Sequence, residues 1–235
     1  MSAVLQAETK RETPLLEMKK INKFFERVHA LKDVDFRVDR GEIVGLIGDN
    51  GAGKSTLIKI LAGVIPKDTG EVFWKGKKVE ISSVDDARKL GIETVFQEGA
   101  LIDIFNVSQN VFLGREPVKK LGPIGFVDYK KMEGDSAKLL KELRLARASP
   151  KRELRFCSGG EKQGVAVSRA MYYKADLVIL DEPTRALSIM GVNQISSFVR
   201  KLKQEEIACV FITHSFHHVY PCLLYTSPSP RDRQK

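Results

Sequence analysis

Ile43-Val44-Gly45-Leu46-Ile47-Gly48-Asp49-Asn50-Gly51-Ala52-Gly53-Lys54-Ser55-Thr56 is the stretch that decides the fold. Its first five residues form a short apolar run of the kind that makes a buried parallel strand. Gly48 to Thr56 then follows the pattern GxxxxGK[ST]. This pattern forms a loop whose backbone N–H groups turn toward one anion, and it opens a helix whose dipole favours that anion. Gly48, Asn50, Gly51 and Gly53 are the candidate cradle. Lys54 reaches the β- and γ-phosphates of a nucleoside triphosphate, Ser55 offers a hydroxyl to Mg²⁺, and Thr56 caps toward the α-phosphate. The spacing predicts a helix from Lys54 to Ala62, with Leu57, Ile58 and Leu61 on one face, Gly63 ending it and Pro66 beyond.

Working outward, short apolar strands are expected at Leu15–Met18, Val34–Val38, Ile92–Phe96, Leu177–Leu180 and Ala208–Thr213. A hairpin is expected for Glu71–Trp74 with Lys77–Ile81, around Lys75-Gly76. Residues 100–150 change to helical spacing at Leu139, Leu140, Leu143 and Leu145, read as an inserted helical subdomain of about residues 100–165. Strands alternating with helices make the fold α/β with a largely parallel sheet. Residues 1–14 read as a polar, poorly ordered lead.

Bulk composition narrows the function classes. The chain has 235 residues, 43% of them hydrophobic, enough for one sizeable core with an inserted subdomain. No apolar run approaches the roughly 20 residues a membrane-spanning helix needs. The net charge is +9, but Lys119-Lys120 and Lys130-Lys131 are only short doublets, so a nucleic-acid partner is not expected. Cys157, Cys209 and Cys222 have neither metal-site nor disulfide spacing. Membrane work would need a partner subunit.

A second motif gives the loop its chemistry. Asp176-Leu177-Val178-Ile179-Leu180-Asp181-Glu182 is an apolar strand ending in two carboxylates. Ligands of open α/β sheets lie at the carboxyl ends of strands. There Asp181 holds Mg²⁺ through water, and Glu182 orients and polarises the attacking water. Phosphoryl transfer needs little beyond positioning and charge neutralisation.

The third motif is Cys157-Ser158-Gly159-Gly160-Glu161-Lys162-Gln163, ahead of a helix expected from Gly164 to Tyr172. With the two motifs above, it resembles the signature of the ABC ATPase family. The resemblance spans about Leu15 to Pro221. It implies a P-loop NTPase fold: a RecA-like core, a small antiparallel β subdomain and the inserted helical subdomain. It also implies a head-to-tail dimer in which Ser158, Gly159 and Gly160 of one subunit close on the γ-phosphate held by the other. On the same basis Phe25 stacks on adenine, Gln97 senses Mg²⁺ and links to the membrane subunit, and His214 contacts the γ-phosphate. Glu182, Gln97 and His214 are then the catalytic set, and Ser55, Gln97 and Asp181 the metal set, with ATP and Mg²⁺ bound.

Gly45–Gly51, Val95–Glu98 and Asn110–Glu116 resemble the cassettes that power simple-sugar importers of the ribose, xylose and fructose type. The resemblance implies transmembrane permease subunits, a periplasmic sugar-binding protein acting indirectly, and a peripheral place on the cytoplasmic face of the cell membrane. Cys157 and Glu161 replace the leucine and glutamine of the usual signature. Ser188 stands where the family often has an aspartate that couples the two sites. A non-transport cassette and a P-loop kinase are the competing readings. The first usually carries paired cassettes or coiled-coil insertions, and the second needs no signature motif. Cys222–Asp232 resembles a translated sequencing adapter, so residues 222–235 are expected to be non-native and the native chain to continue past Pro221.

Overall fold

The computed structural model describes residues 13–49, 51–95, 101–143, 145, 148–183 and 189–213. Asn50, Gln97, Ser188, His214, the lead 1–12 and the tail after Thr213 lie outside the described residues. In chain order the strands and helices begin with β1 (Leu16–Phe25), β2 (Val28–Val38), β3 (Ile43–Ile47), α1 (Lys54–Leu61), β4 (Thr69–Trp74) and β5 (Lys77–Val79). Next come α2 (Val84–Lys89), β6 (Ile92–Val95), α3 (Val107–Phe112), β7 (Val118–Leu121), β8 (Ile124–Val127) and α4 (Tyr129–Glu142). The order ends with α5 (Gly159–Tyr172), β9 (Leu177–Asp181), α6 (Ile189–Gln204) and β10 (Ala208–Thr213).

The parallel sheet runs β3-β10-β9-β6. In β9 and β10 nearly every residue is buried, on both faces. That explains their unbroken apolar sequences, since a strand covered on both sides loses the alternation of a half-exposed one. Leu57, Ile58 and Leu61 of α1 pack on one side of the sheet with Ile179, Val210 and Ile212. Phe198, Val199 and Leu202 of α6, with Ala166 and Ala170 of α5, cover the other side at Val178, Leu180 and Phe211. The register sets the carboxyl ends of three strands nearly level: Ile47 pairs with Thr213, and Ile212 with Asp181.

A second, antiparallel sheet runs β2-β1-β4-β5. β1 and β2 are longer than the sequence pattern predicts. Both contain register irregularities, near Lys20 (φ 47°) and Asp33 (φ 46°), and these breaks hide a continuous ladder from an alternation rule. The β4–β5 turn is made by Lys75 (φ 51°) and Gly76 (φ 78°), the two left-handed residues a tight hairpin requires.

Between β6 and β9, helices α3, α4 and α5 share a third core: Val107, Val111 and Phe112 against Leu139, Leu140 and Val165. Helical spacing did not foretell the β7–β8 hairpin that interrupts this segment. Pro117 precedes it and Gly122-Pro123 turns it, while its four-residue strands are too short to show a period.

Candidate nucleotide site

The phosphate loop joins β3, at the edge of the described sheet, to α1. Gly51 (φ 86°) and Gly53 (φ 84°) are both left-handed. Gly53 is also hemmed in: a Cβ there would lie 2.7 Å from Leu31 Cδ2 and 2.8 Å from the Ala30 carbonyl. Only glycine meets both demands at once. Gly53 therefore sets the loop against β2 as well as allowing its curl. The Lys54 ammonium donates to the carbonyls of Gly48 (2.6 Å) and Asp49 (2.8 Å), so it is drawn over the loop. Ser55 is exposed in the first turn of α1, and Thr56 is half-buried beside it. These residues fit a polyphosphate: a glycine-built curl, a helix N-terminus and an ammonium on one side.

Asp181 and Glu182 close β9, one strand removed from β3 across β10. Burial pushes the Asp181 carboxyl above its ordinary range. Glu182 adds to this, while Lys59 and Lys54 pull it back. Lys54 thus links the phosphate loop to the acidic strand end through its field. Glu182 takes a left-handed backbone (φ 45°), and its N–H donates to the Ile212 carbonyl at 3.0 Å. Such a conformation at a non-glycine residue is held by its surroundings and clusters at sites of chemistry. A half-buried carboxylate raised by a second one beside it suits a divalent cation, whose charge would favour the ionised form.

Phe25 ends β1 at the β1–β2 turn, with its ring 45% exposed. The next part of β2, Ala30–Leu31, is the wall that Gly53 meets. A part-exposed aromatic ring, with Lys23 Nζ 5.7 Å from its centroid, therefore stands on the same hairpin that backs the phosphate loop. Asp68 pins this hairpin by accepting from Lys23 Nζ (2.8 Å) and from the Phe24 N–H (2.6 Å). Those two bonds, the lysine's first, hold the Asp68 carboxyl below its ordinary range. Nothing in the local sequence marks Asp68 for this role.

The signature segment lies on the helical subdomain. Helix α5 begins at Gly159, not at Gly164, because Ser158 caps it. The Glu161 N–H donates to Ser158 Oγ at 3.3 Å, and the Ser158 N–H donates to Glu161 Oε2 at 2.7 Å. This reciprocal capping box offsets the weak helix propensity of the two glycines. Glu161 is buried, so it shapes the loop from behind while Ser158 and Gly159 stay exposed. The pattern S-x-x-E was present in the sequence as the signal for this. Behind α5, Arg115 bonds to the buried Glu93 of β6 and stacks 3.6 Å from the Tyr173 ring centroid. That contact joins the helical subdomain to the parallel sheet. No hydrogen bond or ion pair among the described residues joins Ser158–Gly160 to the phosphate loop of the same chain.

Comparison with known proteins bears on the family and the fold. A family model described as ABC transporter matches residues 31–185. The xylose/arabinose import ATP-binding protein of Sulfolobus acidocaldarius is 42% identical over 206 residues, 88% of this chain and 80% of that protein. Ribose import ATP-binding proteins of Caldanaerobacter subterraneus and Rubrobacter xylanophilus are 39% and 43% identical, again over 88% of this chain. Of those two the chain spans only about two fifths of the length, 41% and 40%. Among solved structures, a nucleotide-free ATP-binding cassette from an ABC transporter superposes with a TM-score of 0.77 at 25% identity, covering 88% of this chain and 84% of that one. A cassette in its ADP conformation gives 0.75 at 27% identity, covering 88% and 83%. The chain belongs to the ABC transporter family as one of its ATP-binding, ATP-hydrolysing cassettes.

Proposed function

We propose that this chain energises uptake of a simple sugar through a separate permease, hydrolysing ATP as one half of a cassette dimer. The observation that carries the reading is the level set of strand ends, with the phosphate loop on β3 and Asp181-Glu182 on β9 flanking β10. The loop N–H groups and Lys54 hold the β- and γ-phosphates, and Phe25 offers its part-exposed ring to the adenine. Ser55 and Asp181 would hold Mg²⁺, which supplies neutralising charge on the phosphates. Glu182 accepts a proton from the attacking water and orients it in line with the scissile bond. Gln97 and His214 are assigned to the metal and the γ-phosphate by resemblance.

Exposure of Ser158 and Gly159 at a capped helix N-terminus supports a partner cassette whose γ-phosphate they meet. Similarity to sugar-import proteins supports the permease, the periplasmic binding protein and a place on the cytoplasmic face. No helix of the described residues is long and apolar enough to cross a membrane.

The test is Glu182→Gln. Turnover should fall by roughly 10²–10⁴-fold, the usual worth of a positioned base, while ATP affinity stays near that of the parent and a closed dimer accumulates. Unchanged turnover would remove Glu182 from the chemistry. Turnover stimulated by a co-purified permease would tie it to transport.

A further inference from the structure

The β7–β8 hairpin holds none of the candidate nucleotide-site residues, and all eight of its strand residues are exposed. Directly paired residues of an antiparallel ladder share a face. The register pairs Leu121 with Ile124 and Lys119 with Phe126, so these four form one face at the tip. Leu121 is 75% exposed, Ile124 57% and Phe126 55%. Tyr129, on the first turn of α4, is also exposed. An isolated two-stranded hairpin with a solvated apolar face is marginal in water, and contiguous exposed apolar residues mark a contact surface.

Charge says what the surface meets. Residues 117–131, the hairpin and the start of α4, hold four lysines, at 119, 120, 130 and 131, against one acid, Asp128. Of the two lysine doublets that look isolated in sequence, one lies within β7 and the other in the first turn of α4. Lys119 sits on the apolar face, with Asp128 3.4 Å away, while Lys120 and Lys130 make no ion pair among the described residues. A solvated ribbon tip with aliphatic and aromatic side chains, and lysines on the same short segment, matches the water–lipid boundary of an anionic bilayer. Apolar groups enter the headgroup zone there, and cations remain at the phosphates.

We propose that the β7–β8 hairpin is a lipid-contact element, docking the helical subdomain on an anionic phospholipid surface through Leu121, Ile124 and Phe126 and the lysines around them. This contact is independent of the nucleotide site, so its failure and that of the ATPase reading are distinguishable.

The test is co-sedimentation of the full chain with phosphatidylglycerol/phosphatidylcholine vesicles, compared with phosphatidylcholine alone. Partition onto the anionic vesicles should be roughly tenfold stronger and should fall several-fold at high salt. The triple substitution Leu121→Asp, Ile124→Asp, Phe126→Asp should abolish it while ATP affinity, read as the control for folding, is retained. Phe126→Trp should blue-shift its emission on anionic vesicles, above the constant background of the buried Trp74. Equal partition onto both vesicle types, or a triple variant that binds like the parent, would overturn the proposal. So would capture of this face by a purified permease in detergent with no lipid preference.

Discussion

Asp181 sits where burial and use conflict. Its carboxyl is raised by desolvation and by Glu182, against the pull of Lys59 and Lys54. An acid with a raised pKa in the folded state binds more protons folded than unfolded. It therefore costs stability above its folded pKa, and the cost fades as the pH falls toward the unfolded value. Asp181→Asn should raise the melting temperature of the nucleotide-free chain at neutral pH, and the gain should shrink toward zero as the pH approaches 3.8. The same variant should lose Mg²⁺-dependent turnover. A gain that grows on acidification would reverse the assignment. Lys54→Ala belongs to the same scale. If Lys54 holds the phosphates as proposed, with two charge-assisted bonds at about 1.5 kcal/mol or more each, ATP affinity should fall by roughly 100-fold or more in equilibrium titration.

Helix α5 shows how an element is set up for contact. Its capping box places Glu161 behind the exposed Ser158 and Gly159. Glu161→Ala should destabilise the chain by about 1 kcal/mol, a typical cap loss, read by denaturant melt. Glu161→Gln should cost far less, because an amide oxygen still accepts the Ser158 N–H. Equal losses for both variants would show that the charge, not the bond, matters. Elements were legible in the sequence in proportion to their regularity. β3, α1, β9 and β10 declared themselves by unbroken apolar runs or by helical spacing. β1 and β2 were only half visible, because Lys20 and Asp33 break the alternation with left-handed backbone. β7–β8 was missed because four exposed residues carry no burial pattern to read. At the site, Gly48–Thr56 and Asp181-Glu182 could be read directly, since local spacing encodes them. Lys59, Asp68 and the Ala30–Leu31 wall could not, since each acts on a residue brought near only by folding.

At the scale of the molecule, the two sheets are tied at the pole away from the nucleotide. Lys75, in the β4–β5 turn, pairs with Asp176 at the amino end of β9, 2.9 Å apart. The pair is half-exposed, so its worth is small and its value is registration. The opposite pole is held by the curl at Gly53 and by the strand ends that nucleotide would bridge. Saturating Mg-ATP should therefore stabilise the whole chain. At about 100 times Kd the gain is roughly 2.7 kcal/mol, worth about 5–10 °C in melting temperature for a chain of this size. Lys54→Ala should erase that shift, and a shift that survives it would place the nucleotide elsewhere.

The pairing of Ile43 with Cys209 has a consequence for synthesis. Among the described residues β3 pairs only with β10, a strand that comes long after it in the chain. On the ribosome the phosphate loop emerges early and then waits, its strand without that pairing, until Ala208–Thr213 has been translated. The nucleotide site thus cannot be completed before β10 has emerged. A chain released before Ala208 would carry every residue of the loop and no sheet to hold it, leaving an apolar strand open to chaperones and to its own kind.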